Sequence, residues 1–228
     1  MYYYMGYDMG YMLIALLATA LGALTQSYIQ RMYAKWSTVD ASFDGTGADV
    51  AKRMLRSAGV DGVGFARIDG TLTDHYDPRD NTLHLSQDNC FGGSVASVAV
   101  ACHEAGHAIQ HAQGYSPVQI RTALVPVVNL TQSTWSLVFL AGILLQMTGL
   151  IQIALILFGA SVLFQLVTLP VELDASHRAV EFLQSQGQAI DQQGAREVLT
   201  AAALTYVAAA LTSVIQLLYL MSRTRSRR

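Results

Sequence analysis

Residues 122–171 read TALVPVVNLTQSTWSLVFLAGILLQMTGLIQIALILFGASVLFQLVTLPV, and not one of them is charged. A helix needs roughly 20 apolar residues to cross a bilayer, so this run is about twice as long as one crossing requires. Its only turn chemistry is Gln146-Met147-Thr148-Gly149. The stretch therefore reads as a helical hairpin, with one helix from about Leu124 to Leu145, a return from about Leu150 to Leu169, and Pro170 marking the exit.

Two further stretches lack Asp, Glu, Lys and Arg. From Met9 to Gln30 the centre is Met12-Leu13-Ile14-Ala15-Leu16-Leu17-Ala18. Met1 to Asp8 carry no basic residue, so the positive flank of a cleavable signal peptide is absent and a retained anchor is expected. Val198 to Ser222 ends against Arg223-Thr224-Arg225-Ser226-Arg227-Arg228 and reads as a last span. Its many alanines also suit a helix packed on the others without crossing fully. Buried helices of soluble proteins lack charge too, but they average roughly 11–12 residues, too short for runs like these.

The whole composition agrees. Of 228 residues, 52% are hydrophobic and 13% charged, against roughly 25% charged in a soluble domain. A net charge of −2 without aromatic-basic interleaving gives no nucleic-acid surface. Cys90 and Cys102 are too few and too far apart for a disulfide framework or a redox pair. Both read as small buried residues, with Cys102 exposed to oxidant only through its place beside His103.

Most of the charge lies between Arg31 and Arg121, in what reads as a compact membrane-attached domain. Ala48 to Leu55 has helical spacing, and Gly59 can close that helix in the left-handed conformation. Val63 to Ile68 and Thr82 to Ser86 alternate as strands, separated by the turns Asp69-Gly70 and Asp77-Pro78-Arg79-Asp80-Asn81. A small twisted sheet is expected. The next helix is capped by Ser94 and stopped by Gly114 and Pro117.

That helix carries His103-Glu104-Ala105-Gly106-His107. Two histidines four apart project from one helical face about a turn apart, close enough to share a tetrahedral zinc ion. Glu104 can take a proton from a zinc-activated water and pass it to a leaving amine. A catalytic zinc needs a third protein ligand and an open position. The continuation His-x-x-Gly-x-x-His fails, because Gln110 and Gln113 stand where glycine and histidine are required. His111 lies one turn further along, but three ligands on successive turns spread along the axis, so a supporting or surface role is favoured. The chain has only four glutamates, Glu104, Glu172, Glu181 and Glu197. Two crossings return the chain to the side it left, so Glu172 must lie on the same side as His103 and His107. Glu172 is thus the favoured third ligand, with capping of the following helix as its bland role. Asp174 could bind instead, or orient a histidine. His177 or His111 could stabilise an oxyanion.

Three segments, Leu72 to Arg79, Val98 to His111 and Leu169 to Ser176, resemble the membrane-bound neutral zinc metallopeptidases of the YugP type, and the likeness extends over nearly the whole chain. The resemblance implies a membrane peptidase with zinc at His103 and His107. More distantly, the chain is similar to membrane peptidases that include the heat-shock protease and the prenyl-protein processing enzymes. In that group a hairpin separates the zinc helix from a glutamate ligand, which supports Glu172. An aspartate usually stands four residues after that glutamate, where this chain has Ser176.

The expectation is an α+β, mostly helical integral membrane protein with about four transmembrane helices and a small zincin-like domain. Its parts are an anchor (1–30), the zinc-helix domain (31–121), the hairpin (122–171), a helical segment with the third ligand (172–197), and a last span with basic tail (198–228). The expected function is zinc-dependent endopeptidase activity with one Zn2+ ion, on protein or peptide substrates that include membrane proteins. The expected partners are the bilayer and further copies or membrane proteins. Basic residues on the two sides nearly cancel, and similarity to the distant group favours a cytoplasmic active site at the cell (inner) membrane. The strand Thr82–Ser86 is expected to be an exposed edge that receives substrate, so proline at Leu83 or Leu85 would block cleavage and spare zinc. The alternatives are a non-catalytic scaffold with a retained metal site, and a zinc transporter. The charge-free stretches hold no His, Asp or Glu, which weighs against the transporter.

Overall fold

The computed structural model describes residues 8–186 and 188–225; the tyrosine-rich start and the last arginines of the basic tail lie outside them. In chain order the elements are α1 (Met9–Ser37), α2 (Gly47–Ser57), β1 (Gly64–Ile68), β2 (His75–Asp77), β3 (Thr82–Ser86), α3 (Gln87–Phe91), α4 (Val95–Ala112), α5 (Ser116–Leu144), α6 (Thr148–Gln186) and α7 (Ala189–Arg225). Helix dominates, with one small sheet, and the fold is that of an α+β membrane protein.

Helices α1, α5, α6 and α7 are each long and apolar enough to cross a membrane. They neighbour one another in the order α5, α6, α7, α1. Between α5 and α6, Trp135 stacks on Phe158 with ring centroids 4.5 Å apart, and the Thr131 and Ser161 hydroxyls meet at 3.1 Å. Such a hydrogen bond matters where no water competes for the partners. The hairpin turn falls at Leu145–Met147, where Gln146 takes φ 55° and the Met147 amide donates to the Gly142 carbonyl. At the opposite ends of the chain, Asp8 accepts from Tyr219 and Arg223, so the N-terminus of α1 and the C-terminus of α7 sit together.

Several elements differ from the sequence reading, with α5 starting at Ser116 and α7 at Ala189, each earlier than expected. Helix α6 does not stop at Pro170 but continues through it to Gln186, so Glu172 stands in the interior of one long helix. Proline removes one backbone donor, and the packing of α6 on its neighbours holds the helix across that gap. The third strand also escaped notice: β2 has three residues, too short to show a period of two.

The sheet order is β1-β3-β2, with β1 parallel and β2 antiparallel to β3. Thr82–Ser86 is therefore the central strand, not the exposed edge that was expected. Leu83 and Leu85 are fully buried, packed with Val50 and Met54 of α2 and with Val98, Cys102 and Ala105 of α4. Helix α4 runs through the middle of the protein and touches α1, α2, α6 and α7. Its start follows from Ser94, whose hydroxyl accepts from the Ser97 amide, and its end from Gly114 at φ 65°.

Because Leu83 is inside the sheet, Leu83→Pro should not act on cleavage alone. It removes a ladder donor, and the lost packing of a buried leucine alone costs about 2–5 kcal/mol. The expected result is a lower melting temperature in detergent and loss of bound zinc together; a normally stable, zinc-replete variant would contradict this placement.

Candidate metal centre

Helix α4 presents His103 and His107 on the face that packs against α6. The two helices approach so closely at Gly106 that a Cβ there would lie 2.8 Å from the Ala175 carbonyl oxygen and 3.1 Å from its Cα. No side chain fits between the two backbones. That approach brings Glu172, one turn before Ser176 on α6, over the two imidazoles. Glu172 Oε2 lies 3.3 Å from His103 Nε2 and 3.5 Å from His107 Nε2. The imidazoles are nearly perpendicular, with centroids 4.7 Å apart.

These three donors fit a metal ion. Ligand atoms each about 2.0–2.1 Å from a tetrahedral zinc stand about 3.3–3.5 Å from one another, the separation of Glu172 Oε2 from each imidazole nitrogen here. Glu172 Oε2 is buried and makes no hydrogen bond to the protein. A buried carboxylate oxygen without a donor is costly unless a cation completes it. Burial alone would hold the His107 pKa down, but the Glu172 carboxylate beside it, helped by Glu104 and Gln110, raises it above the ordinary value.

The outer nitrogens of both histidines are also held. His107 Nδ1 donates to Gln110 Oε1 at 3.0 Å, and His103 Nδ1 pairs with the Ser176 hydroxyl at 3.1 Å. Gln110 is fully buried, and its amide donates to the Val171 carbonyl and to Asp174 Oδ2, both at 2.8 Å. Asp174 also accepts from Arg178 Nε at 2.6 Å. Outer partners of this kind fix the tautomer and aim the inner nitrogen.

Among the expected site residues, His103, His107 and Glu172 converge, and Glu104 lines the cleft beside them at 7% exposure. Asp174 stays one bond removed from the cluster, behind Gln110. His111 lines the outer part of the cleft and does not join the three donors. His177 does not reach the site at all: five residues beyond Glu172, it is turned about 140° around the helix, is 76% exposed at its side chain, and faces Glu181. Ser176, at about 40° from Glu172, stays on the inner face. Cys102 is fully buried, and burial pushes its thiol pKa up, which removes the reactive thiolate an oxidant would need.

The cleft, about 140 Å³, is walled by β2, α4, α5, α6 and α7. Sequence reasoning passed over the roles of Arg121 and Tyr206 in the cleft, and of Gln110 and Ser176 behind the two histidines. Gln110 had a signal in its spacing, three residues after His107 on the same helical side. Tyr206 had none, being one aromatic in an apolar helix.

A helical protein with four helices able to span a membrane, and with three donors able to hold a metal ion brought together by two of its helices, is the class this architecture defines. Residues 11–225 match the family described as "Putative neutral zinc metallopeptidase", and the chain belongs to that family. The chain is also 42% identical over 210 residues to a protein of Bacillus subtilis (strain 168) named "Putative membrane protease YugP", covering 91% of this chain and 93% of that one. No solved structure matches it.

Two substitutions probe this geometry. Gly106→Ala should force α4 and α6 apart and lower stability by about 1–3 kcal/mol, with zinc content by mass spectrometry falling alongside the melting temperature. Gln110→Ala releases His107 and should weaken zinc affinity about 10–100-fold in a competitive chelator titration; an unchanged affinity would remove Gln110 from the support of the site.

Proposed function

We propose that this chain is a membrane-embedded, zinc-dependent endopeptidase in which His103, His107 and Glu172 hold one zinc ion and Glu104 is the general base. The observation that carries the reading is the convergence of the three donors beside Glu104 in an open cleft, in a chain of a zinc peptidase family. A structural zinc site would be closed by four protein ligands, often cysteines. Here the two cysteines are buried in the core away from the three donors.

Zinc in this site would polarise the scissile carbonyl and lower the pKa of an attacking water from about 15.7 toward 7. The chain supplies the rest. Glu104 takes the proton of the attacking water on its carboxylate and delivers it to the leaving amine. Ser176 and Gln110 keep the two imidazoles aimed, so the cluster does not have to reorganise during turnover. Strand β2 pairs only with β3 among the described residues, and His75, Tyr76 and Pro78 line the cleft. An extended substrate can pair with the free edge of β2 and lie across the donors.

The ends of the charge-free run support a cleft near the membrane boundary. Arg121 and Thr122 mark the start of the charge-free run, Glu172 follows its end, and all three line the cleft. That position suits segments of membrane proteins as substrates. Basic residues flank the spans about equally on both sides, so a cytoplasmic active site in the cell membrane rests on the similarity to the distant peptidase group.

The test compares wild type with Glu104→Gln and Glu172→Gln, purified in detergent, for zinc content and for cleavage of an unfolded membrane protein. Glu104→Gln should keep its zinc and lose roughly 10²–10⁴-fold in rate; Glu172→Gln should lose zinc. Equal cleavage by wild type and Glu104→Gln would remove Glu104 from the role. Full zinc with no cleavage by wild type across a broad panel would favour a scaffold.

A further inference from the structure

The polar groups of the cleft are mostly committed to other partners. His75 Nδ1 pairs with the Thr73 carbonyl at 3.0 Å, Tyr76 donates to Asn81 Oδ1 at 2.8 Å, and Thr122 donates to the Val118 carbonyl of its own helix at 2.9 Å. Three further donors line the cleft. Arg121 Nε is buried without an acceptor. His111 is exposed, one turn beyond His107, and borders an adjoining recess between α4 and α5. Tyr206 enters from α7, and its hydroxyl faces Glu172, with Glu104 and Arg121 also within electrostatic reach.

A peptidase site needs a donor aimed where negative charge develops, and preorganised donors of this kind are worth about 10²–10³-fold in rate. The ligands, the base and their supporting side chains leave that part unfilled. We propose that Tyr206 is the further catalytic residue, donating a hydrogen bond to the oxyanion that forms on the scissile carbonyl, with the Arg121 guanidinium adding positive potential beside it. The inference rests on the peptidase reading above. As the water oxygen bonds to the carbonyl carbon, the C=O π pair moves onto the carbonyl oxygen and Glu104 takes the water proton. When the C–N bond breaks, that pair re-forms the carbonyl and the amine leaves with the proton from Glu104. Tyr206 stays protonated throughout; its hydroxyl turns from Glu172 to the stronger acceptor when the charge appears.

Tyr206 is preferred to His111 on position. Both are exposed, but Tyr206 stands against Glu172, whereas His111 stands one turn beyond His107 and does not join the three donors. Helix α7 is thereby part of the catalytic machinery as well as an anchor.

The test uses the full chain in detergent, with casein as substrate and a phosphinic pseudopeptide as a mimic of the tetrahedral state. Tyr206→Phe should keep wild-type zinc content and KM, lose about 10²–10³-fold in kcat, and lose phosphinate affinity by a comparable factor. Unchanged kcat and phosphinate affinity would overturn the assignment. So would a loss of zinc with normal kcat per bound zinc, which would make Tyr206 a support for Glu172. The same losses in His111→Ala with none in Tyr206→Phe would transfer the role to His111. If Tyr206→Phe folds poorly, 3-fluorotyrosine at position 206 keeps the ring and sharpens the donor; phosphinate affinity should shift several-fold, and no shift overturns the proposal. A wild type that neither cleaves casein nor binds the phosphinate overturns the peptidase reading itself. Cleavage by wild type but not by Glu104→Gln, with Tyr206→Phe fully active, overturns Tyr206 alone.

Discussion

The metal centre depends on the absence of one side chain. At Gly106 the backbones of α4 and α6 touch, with the Ala175 carbonyl oxygen 2.8 Å from where a Cβ would stand. Two histidines on α4 and a carboxylate from a segment more than sixty positions later meet because nothing separates those helices. Small Ala105, Ala175 and Ala179, all fully buried, continue the close packing around that point. Steric fit at this point sets the site, and the Glu172 oxygen stands at the separation from each imidazole nitrogen that two ligands of a tetrahedral zinc would have.

Around this contact the polar groups form a chain rather than isolated pairs. Gln110 uses its carbonyl for His107 and its amide for Val171 and Asp174, and Asp174 holds Arg178, which in turn reaches Gln113 at 2.8 Å. One glutamine thus ties the imidazole on α4 to the backbone and a carboxylate of α6. In a dry interior such a network is valuable only when every member is satisfied. His103 has the simpler arrangement with Ser176, at the position where the distant peptidases have an aspartate. A neutral hydroxyl can orient the ring there without adding a second negative charge beside Glu172.

The sequence made some of this legible and hid the rest for physical reasons. The charge-free run 122–171 announced the hairpin, because burial in lipid excludes charge whatever the tertiary contacts. The spacing of His103, Glu104 and His107 is local to one helix and equally readable. Topology alone placed Glu172 on the correct side. What failed depended on rotation or on neighbours. His177 is close to Glu172 in sequence but on the wrong face of α6. Pro170 interrupts a donor without ending the helix. Thr82–Ser86 alternates as any strand does, and only the pairing of the short β2 shows that it is central. Tyr206 and Arg121 have meaning only once α5 and α7 stand on either side of the cleft.

The continuity of α6 has a mechanical consequence. From Thr148 to Glu172 it is an unbroken rod of about 36 Å at 1.5 Å per residue. A free rod of that length, pivoting by about 5° at the hairpin turn as bilayer thickness changes, would carry its far end by roughly 3 Å. Metal-ligand bonds tolerate only about 0.2 Å. The contact at Gly106 acts as the clamp at the moving end of this lever, shielding the carboxylate from the membrane that positions the rest of its helix.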